Sequence, residues 1–294
     1  MTTRDSQAPE SSSVSPSVIP SVPLSDATPD PTPGVLADPA SGATPDTPPE
    51  PPPEQTPASR LAELKRNWDG LAAHDAMWAI LSDPAKINQG WQADEFFASG
   101  RQEIAALREY IVALLTLSGA SLEPRRAMDF GCGLGRLSQA LAAHFQRVDG
   151  VDISEVMVAQ ALTHDQSGGK VHYHVNTTDT LPFDDGSFDL VYSNIVLQHI
   201  DKANALHYMA EFVRVLAPGG LVIFSMPSRH LESPDATLVS PVEAAEGTLV
   251  INMHPIPRAE VEACLVAAGA RIVHVHDYPV AGPGYECFRY AATR

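Results

Sequence analysis

Asp129-Phe130-Gly131-Cys132-Gly133-Leu134-Gly135-Arg136 joins a short apolar run with strand pattern, Ala127–Phe130, to a helical pattern over Arg136–Phe145. Glycine takes up left-handed backbone without steric cost and lets a ligand lie against the peptide plane where a Cβ would intrude. A turn of this kind at the end of a strand is a candidate ligand cradle. The spacing is Gly-x-Gly-x-Gly. A dinucleotide fingerprint would put its third glycine at position 136, which is Arg136, so pyrophosphate binding is disfavoured. About twenty residues past the glycines, Val151-Asp152-Ile153-Ser154 places Asp152 at the C-terminal end of a second strand pattern, where a carboxylate accepts hydrogen bonds from a ribose diol. The other use of an acid there is a helix N-cap, for which Ser154 is the better candidate.

Outward from this segment, short apolar runs alternate with helical patterns. Strands are expected at Ala127–Phe130, Val148–Val151, Val171–Val175, Phe188–Ser193, Leu221–Ser225, Arg271–His276 and Cys287–Ala291. Helices fit at Arg136–Phe145, Glu155–Leu162, Ala203–Leu216 and Arg258–Ala268. This is the rhythm of a doubly wound α/β sheet. The last two strands follow one another without a helix, so one of them should run antiparallel. Upstream, Leu61, Leu64, Trp68, Leu71 and Ala72 mark one face of a helix over Ser59–Leu81. A loop holding Trp91, Phe96 and Phe97 follows, and Gly100 leads into a second amphipathic helix with Ile104, Leu107, Ile111, Leu114 and Leu115. The organisation is then a Pro/Ser/Thr-rich tail over residues 1–57, N-terminal helices forming a lid over 58–122, and a ligand-binding α/β domain over 123–294. The tail, with Pro48-Pro49-Glu50-Pro51-Pro52-Pro53, lacks the apolar surface to offset the entropy of ordering it and reads as disordered.

Of 294 residues 44% are apolar, enough for one substantial core, and the formal net charge is −17. No Lys/Arg cluster is available to track a phosphate backbone, which argues against nucleic acid as a partner. No apolar stretch reaches signal-peptide or membrane-spanning length, so no membrane insertion and a cytoplasmic location are expected. Cys132, Cys264 and Cys287 show no CxxC spacing and read as reduced thiols. The residues name no protein partner.

The Asp129–Gly135 loop and Asp152 resemble the first two motifs of class I S-adenosylmethionine-dependent methyltransferases, and three further segments resemble the rest of the set. Leu181-Pro182-Phe183-Asp184-Asp185-Gly186-Ser187-Phe188-Asp189 is similar to the stretch leading into the fourth strand. Ser193-Asn194-Ile195-Val196-Leu197-Gln198-His199 is similar to the segment after it, and Arg214-Val215-Leu216-Ala217-Pro218-Gly219-Gly220 to the turn before the fifth strand. The resemblance covers about Arg126 to Ser228 and implies a seven-stranded Rossmann-like methyltransferase sheet with an antiparallel last strand and an N-terminal helical extension. It implies S-adenosylmethionine as cofactor, with Asp129 among the cofactor-binding residues, Gly131, Gly133 and Gly135 at its amino-acid part, Asp152 at the ribose, Ile153 and Met157 at the adenine faces and Asn194 at the methionine region. Where family members often carry an acid four positions before Leu181 this chain has Thr177, so Thr177, Thr178 or a backbone carbonyl is left to meet the adenine amino group. Arg101, in a lid segment Trp91–Arg101, is a candidate for the cofactor carboxylate by a bidentate pair.

The histidines number 11. His172 with His174, and His274 with His276, share i, i+2 spacing on two strands that the implied sheet order puts at opposite edges, so no metal site is expected. Methyl transfer gains mainly from positioning, and a hydroxyl acceptor also needs a base. His199, after the fourth strand, and His254, within the insertion Leu231–Pro257, are the candidates. The expected substrate is a small molecule or sugar hydroxyl. The rival readings are a noncatalytic cofactor-binding module and a nicotinamide-dependent oxidoreductase.

Overall fold

The computed structural model describes residues 56–118, 122–234, 236–244 and 247–294, so the Pro-rich segment, apart from its last two positions, lies outside the described residues. The described elements run α1 (Pro57–Ile80), α2 (Ala93–Ser118), β1 (Arg126–Phe130), α3 (Arg136–Ala142), β2 (Arg147–Asp152), α4 (Glu155–His164), β3 (Val171–Val175), β4 (Phe188–Ser193), α5 (Lys202–Val215), β5 (Leu216–His230), β6 (Leu238–Ala244), β7 (Gly247–Met253), α6 (Arg258–Ala267), β8 (Arg271–Asp277) and β9 (Tyr285–Thr293).

Seven strands form one sheet in the order β3-β2-β1-β4-β5-β9-β8. Pairing is parallel from β3 through β5, and β9 is antiparallel to both β5 and β8. The physical reason is the one read from the sequence: helices carry the crossovers between parallel neighbours, while β8 reaches β9 through a short loop. Alternation along the central strands sends Met128, Phe130 and Val191 to a layer with α5 and α6, and Ala127, Leu190 and Tyr192 to a layer with α2 and α3. Phe188, Phe212 and Phe224 are fully or almost fully buried, each stabilising the fold by about 1.5–3 kcal/mol relative to exposure. The two histidine pairs lie on β3 and β8, the opposite edges of the sheet.

The N-terminal helices differ from the expectation. Phe96 and Phe97 belong to the start of α2 rather than to a loop, with Asp94 and Glu95 placed favourably at its positive end. Phe96 is fully buried. Furthermore, α2 packs on α3 and shares an apolar cluster with Ala127, Leu190 and Tyr192 of the sheet, so of the helices expected as a lid over 58–122 only α1 lines the cleft at the strand ends. α1 starts from Thr56, whose hydroxyl accepts from Ser59 N, and breaks its regular geometry at Asp75 (φ −158°, ψ 83°). The Asp75 carboxylate accepts from Trp78 N and Gln89 N, acting as an internal cap that restarts the helix on a new line.

The insertion expected at Leu231–Pro257 contains the antiparallel hairpin β6–β7. Asn67 of α1 fastens it through two hydrogen bonds. Asn67 Nδ2 donates to Val250 O at 2.6 Å and Val250 N donates to Asn67 Oδ1 at 2.9 Å, so the amide stands in for a neighbouring strand. Beside it Gly70 admits Leu249, whose Cδ2 would lie 2.6 Å from an added Cβ.

Candidate functional site

The glycine turn is held from below. Gly131 N and Cys132 N both donate to Val151 O, at 2.8 and 3.0 Å, and Gly131, Gly133 and Gly135 all have positive φ. Gly133 N and Ser154 N donate to the two oxygens of Asp152 at 2.8 and 2.9 Å. Burial pushes the Asp152 carboxyl above its ordinary pKa, while the backbone donors pull it back. Ser154 caps α4, accepting from Met157 N, and its hydroxyl donates to Asp69 of α1 at 2.7 Å.

Above this turn lies a cleft with about 900 Å³ of space not filled by protein atoms, part of it open to solvent. Of the residues named from the sequence, Gly131, Gly133, Asp152, Ile153, Met157, Asn194 and His199 line it. Its roof is Leu61, Leu64, Trp68 and Ile80 of α1. α1 reaches the turn at Gly133, where an added Cβ would lie 2.6 Å from Ile80 Cδ1, and an added Cβ on Gly131 would collide with Val196.

The remaining assignments go elsewhere. Gly135 sits below the turn, where an added Cβ would collide with the Tyr173 hydroxyl, so its glycine serves the packing of α3 on β3. Asp129 is buried beneath the turn, accepts from the Ser138 hydroxyl at 2.6 Å, and is pushed up to about 7 by burial. Arg101 is exposed, in a surface depression with His144 and His164, because it lies roughly opposite the α2 face that carries Glu103 and Leu107. The cation on the cleft wall is Arg136 instead. Thr177 and Thr178 are exposed, and the side chain entering the cleft from that turn is Asn176. Its amide donates to Thr178 O, which also accepts from the Tyr208 hydroxyl.

Glu103, which the sequence did not single out, joins α2 to the cleft. It accepts from Arg136 Nη2, Tyr192 Oη and Asn194 Nδ2 at 2.8, 2.9 and 2.8 Å. Burial alone would raise this carboxyl, but the Arg136 guanidinium and the three hydrogen bonds outweigh it and hold its pKa low. The one signal for it in sequence is a carboxylate at helical spacing with the apolar face of α2, between Gly100 and Leu107. Arg136 can reach it because α2 and α3 approach closely at Gly100, where a Cβ would strike the Arg136 backbone. The Arg136 Nε is buried without a partner.

His199 is 8% exposed, and its ring meets Trp68 edge-on with centroids 5.4 Å apart. Its Nδ1 lies 2.7 Å from Asn252 O. A carbonyl only accepts, so Nδ1 carries the proton and Nε2 keeps its lone pair, 3.4 Å from Gln198 Nε2. Burial pushes the imidazole down to about 4, against the hydrogen bond to Asn252 and with help from nearby His254. His254 stands behind the wall. Its backbone N donates to Gln198 O, its Nδ1 lies 3.1 Å from Thr237 Oγ1, and burial lowers its pKa. Among the described residues no group of three or more His, Cys, Asp or Glu side chains is arranged to hold a metal, and no helix is long and apolar enough to cross a membrane.

Residues 128–224 match the family described as methyltransferase domain. A ubiquinone biosynthesis O-methyltransferase of Aromatoleum aromaticum is 37% identical over 117 residues, 39% of this chain and 49% of that protein. The chain thus spans about half the length of the curated relatives it matches. Among solved structures, a SAM-dependent methyltransferase from Leishmania major superposes with a TM-score of 0.56 at 14% identity, over 82% of this chain and 87% of that one. Phosphoethanolamine N-methyltransferase 1 of Haemonchus contortus does so with 0.55 at 18% identity, over 81% and 50%. These two share the fold. With the ordered motifs, the sheet order and the family match in agreement, residues 128–224 belong to the class I S-adenosylmethionine-dependent methyltransferase domains.

Proposed function

We propose that the protein transfers the methyl group of S-adenosylmethionine to an oxygen of a small molecule, with His199 taking up the acceptor's proton. The observation that carries this reading is the His199 ring on the cleft wall, fixed through Nδ1 by Asn252 and neutral at Nε2.

The residues present suit the cofactor. Asp152 gives one lone pair on each oxygen to the backbone and keeps the others for the two hydroxyls of a ribose. Ile153 and Met157 offer apolar faces to a purine, and Asn176 takes the place at its edge that the sequence left to Thr177 or Thr178. The unpaired Nε of Arg136 is a buried donor beside the glycine turn that a carboxylate would satisfy, the role expected of Arg101. Asn194, locked by Glu103, fixes the wall at the methionine end.

S-adenosylmethionine supplies, when bound, an electrophilic methyl group on a sulfonium. The chain then has three tasks. It holds the acceptor in line, which is worth up to about 7–11 kcal/mol. It excludes water beneath α1. It accepts a proton at His199 Nε2 as the oxygen attacks, the new charge being shared with the Asn252 carbonyl through Nδ1–H. The similarity to the Aromatoleum O-methyltransferase supports oxygen as the target. His254, hydrogen-bonded behind the wall, orients the turn that carries His199 rather than meeting substrate.

The test is incubation with methyl-labelled S-adenosylmethionine and host extract, beside calorimetry with S-adenosylhomocysteine. Binding together with a labelled small product is expected. Binding without any labelled product would favour a noncatalytic cofactor-binding module. Binding of NAD in place of S-adenosylhomocysteine would favour an oxidoreductase.

A further inference from the structure

Arg289 is a nearly buried cation with aromatic neighbours and no acidic partner among the described residues. It stands on β9 opposite Ser225 of β5 and His276 of β8, and is 7% exposed. Its guanidinium carbon lies 3.5 Å from the ring centroid of Tyr278 and 5.5 Å from that of Tyr110 on α2. Among the described residues its guanidinium makes no hydrogen bond and no ion pair. None of its nitrogens is among the fully buried polar atoms left without a partner, so the ring faces hold the group in plane while its N–H donors stay open to solvent or to a ligand. Acids outnumber bases in this chain by 36 to 19, yet none is placed against this arginine. Arg136 makes the contrast, since it is equally buried and paired with Glu103 at 2.8 Å.

The position ties Arg289 to the cleft. Ser225, its cross-strand neighbour, accepts from Ile195 N at 3.1 Å, and Ile195 with Asn194 lines the cleft wall. Tyr278, the ring stacked on the guanidinium, lies near Asn194 and Glu103. Glu103, the carboxylate on that side, is already committed to three donors. An arginine in this setting has the fork geometry for a carboxylate or phosphate and the flanking rings to hold it in plane.

We propose that Arg289 receives an anionic group of the methyl acceptor, so that the substrate is an anionic small molecule whose nucleophilic oxygen is held in the cleft. The assignment rests on the methyl-transfer reading. Two experiments separate its failure from the failure of that reading. In the first, the full chain carrying ¹⁵N-labelled arginine is saturated with S-adenosylhomocysteine and titrated with benzoate, inorganic phosphate and the neutral control benzamide. The Nε–H signal that disappears in Arg289→Lys should move with benzoate, with phosphate or with both, which distinguishes carboxylate from phosphate, and should ignore benzamide. Arg289→Met should bind the effective anion about ten- to a hundredfold more weakly, with S-adenosylhomocysteine affinity and melting temperature kept. No movement with either anion, or equal movement with benzamide, overturns the proposal whatever the enzyme does. In the second, the labelled product from host extract is passed over an anion exchanger at neutral pH. Retention, and loss of that product with Arg289→Met, is the expected result. A labelled product that flows through overturns the proposal while leaving methyl transfer established.

Discussion

The floor of the cleft, from the glycine turn to Ser154, is held by hydrogen bonds that close within about twenty residues, from Gly131 N and Cys132 N to Val151 O and from Gly133 N to the Asp152 carboxylate 19 residues on. The roof, α1 with the β6–β7 hairpin, is held by side chains that meet across 183 residues, as Asn67 does with Val250. In the floor each residue's role follows from conformation that its own neighbours impose: positive φ at Gly131 and Gly133, and a strand-end carboxylate at Asp152. In the roof, Leu249 lies against Gly70 and Trp68 against His199 only because two distant segments fold onto the same strand ends. A floor of this kind is expected to bind, and a roof of this kind to select and to close.

His199 stands where the two meet, on the turn after β4 and hydrogen-bonded to Asn252 of the hairpin. The largest effect is therefore expected there. His199→Ala and His199→Gln should lose about a hundredfold or more in turnover with cofactor affinity kept. Since burial takes the imidazole down to about 4, the acidic limb of kcat/KM should lie near pH 4 rather than at the ordinary histidine value. Parental turnover in both variants would leave positioning as the whole of the catalysis.

A change confined to the floor comes next. Asp152→Ala removes the acceptor of Gly133 N and Ser154 N together with the expected ribose contact. S-adenosylhomocysteine affinity measured by calorimetry should fall about ten- to a few hundredfold. An unchanged affinity would remove Asp152 from the ribose and break the division between a binding floor and a selecting roof.

For the roof, Asn67→Ala leaves Val250 N and O without their partner, at a cost of about 1–3 kcal/mol. Melting temperature should drop by several degrees and methyl transfer should slow, while affinity for S-adenosylhomocysteine changes much less than in Asp152→Ala. A loss of affinity as large as that of the floor variant would show that α1 binds the cofactor as strongly as the glycine turn does.

A last effect, confined to acid conditions, is on stability against pH. The folded His199 imidazole titrates at about 4 and the unfolded one near 6.5, so the folded chain binds fewer protons between these values. Its contribution is complete above about pH 6.5 and is lost as pH falls from 6.5 through 4, by up to about 3 kcal/mol. Thermal melts across that window should show the parent falling faster than His199→Gln. Parallel curves would place the titration elsewhere.

The sequence by itself determined the alternation of strands and helices, the antiparallel last strand, the glycine turn and the strand-end place of Asp152, and the family resemblance carried by its motifs implied the strand order and the neighbourhood of Ile153, Met157, Asn194 and His199. These are properties of contiguous segments, where apolar periodicity and glycine spacing fix local backbone. Only the tertiary structure decided which cation faces the cleft. Arg101 and Arg136 both flank the turn, and the choice fell to Arg136 because of the direction in which α2 turns Arg101 outward and the close approach at Gly100. It also decided that Asn176 rather than Thr177 or Thr178 lines the wall, that Gly135 serves packing, and that His199 is neutral. The hydrogen-bonded Glu103 and the unpaired Arg289 belong to the same class. Burial, helix facing and contacts between segments far apart in the chain set each of these, and none of the three is a property of the residues that stand next to one another in sequence.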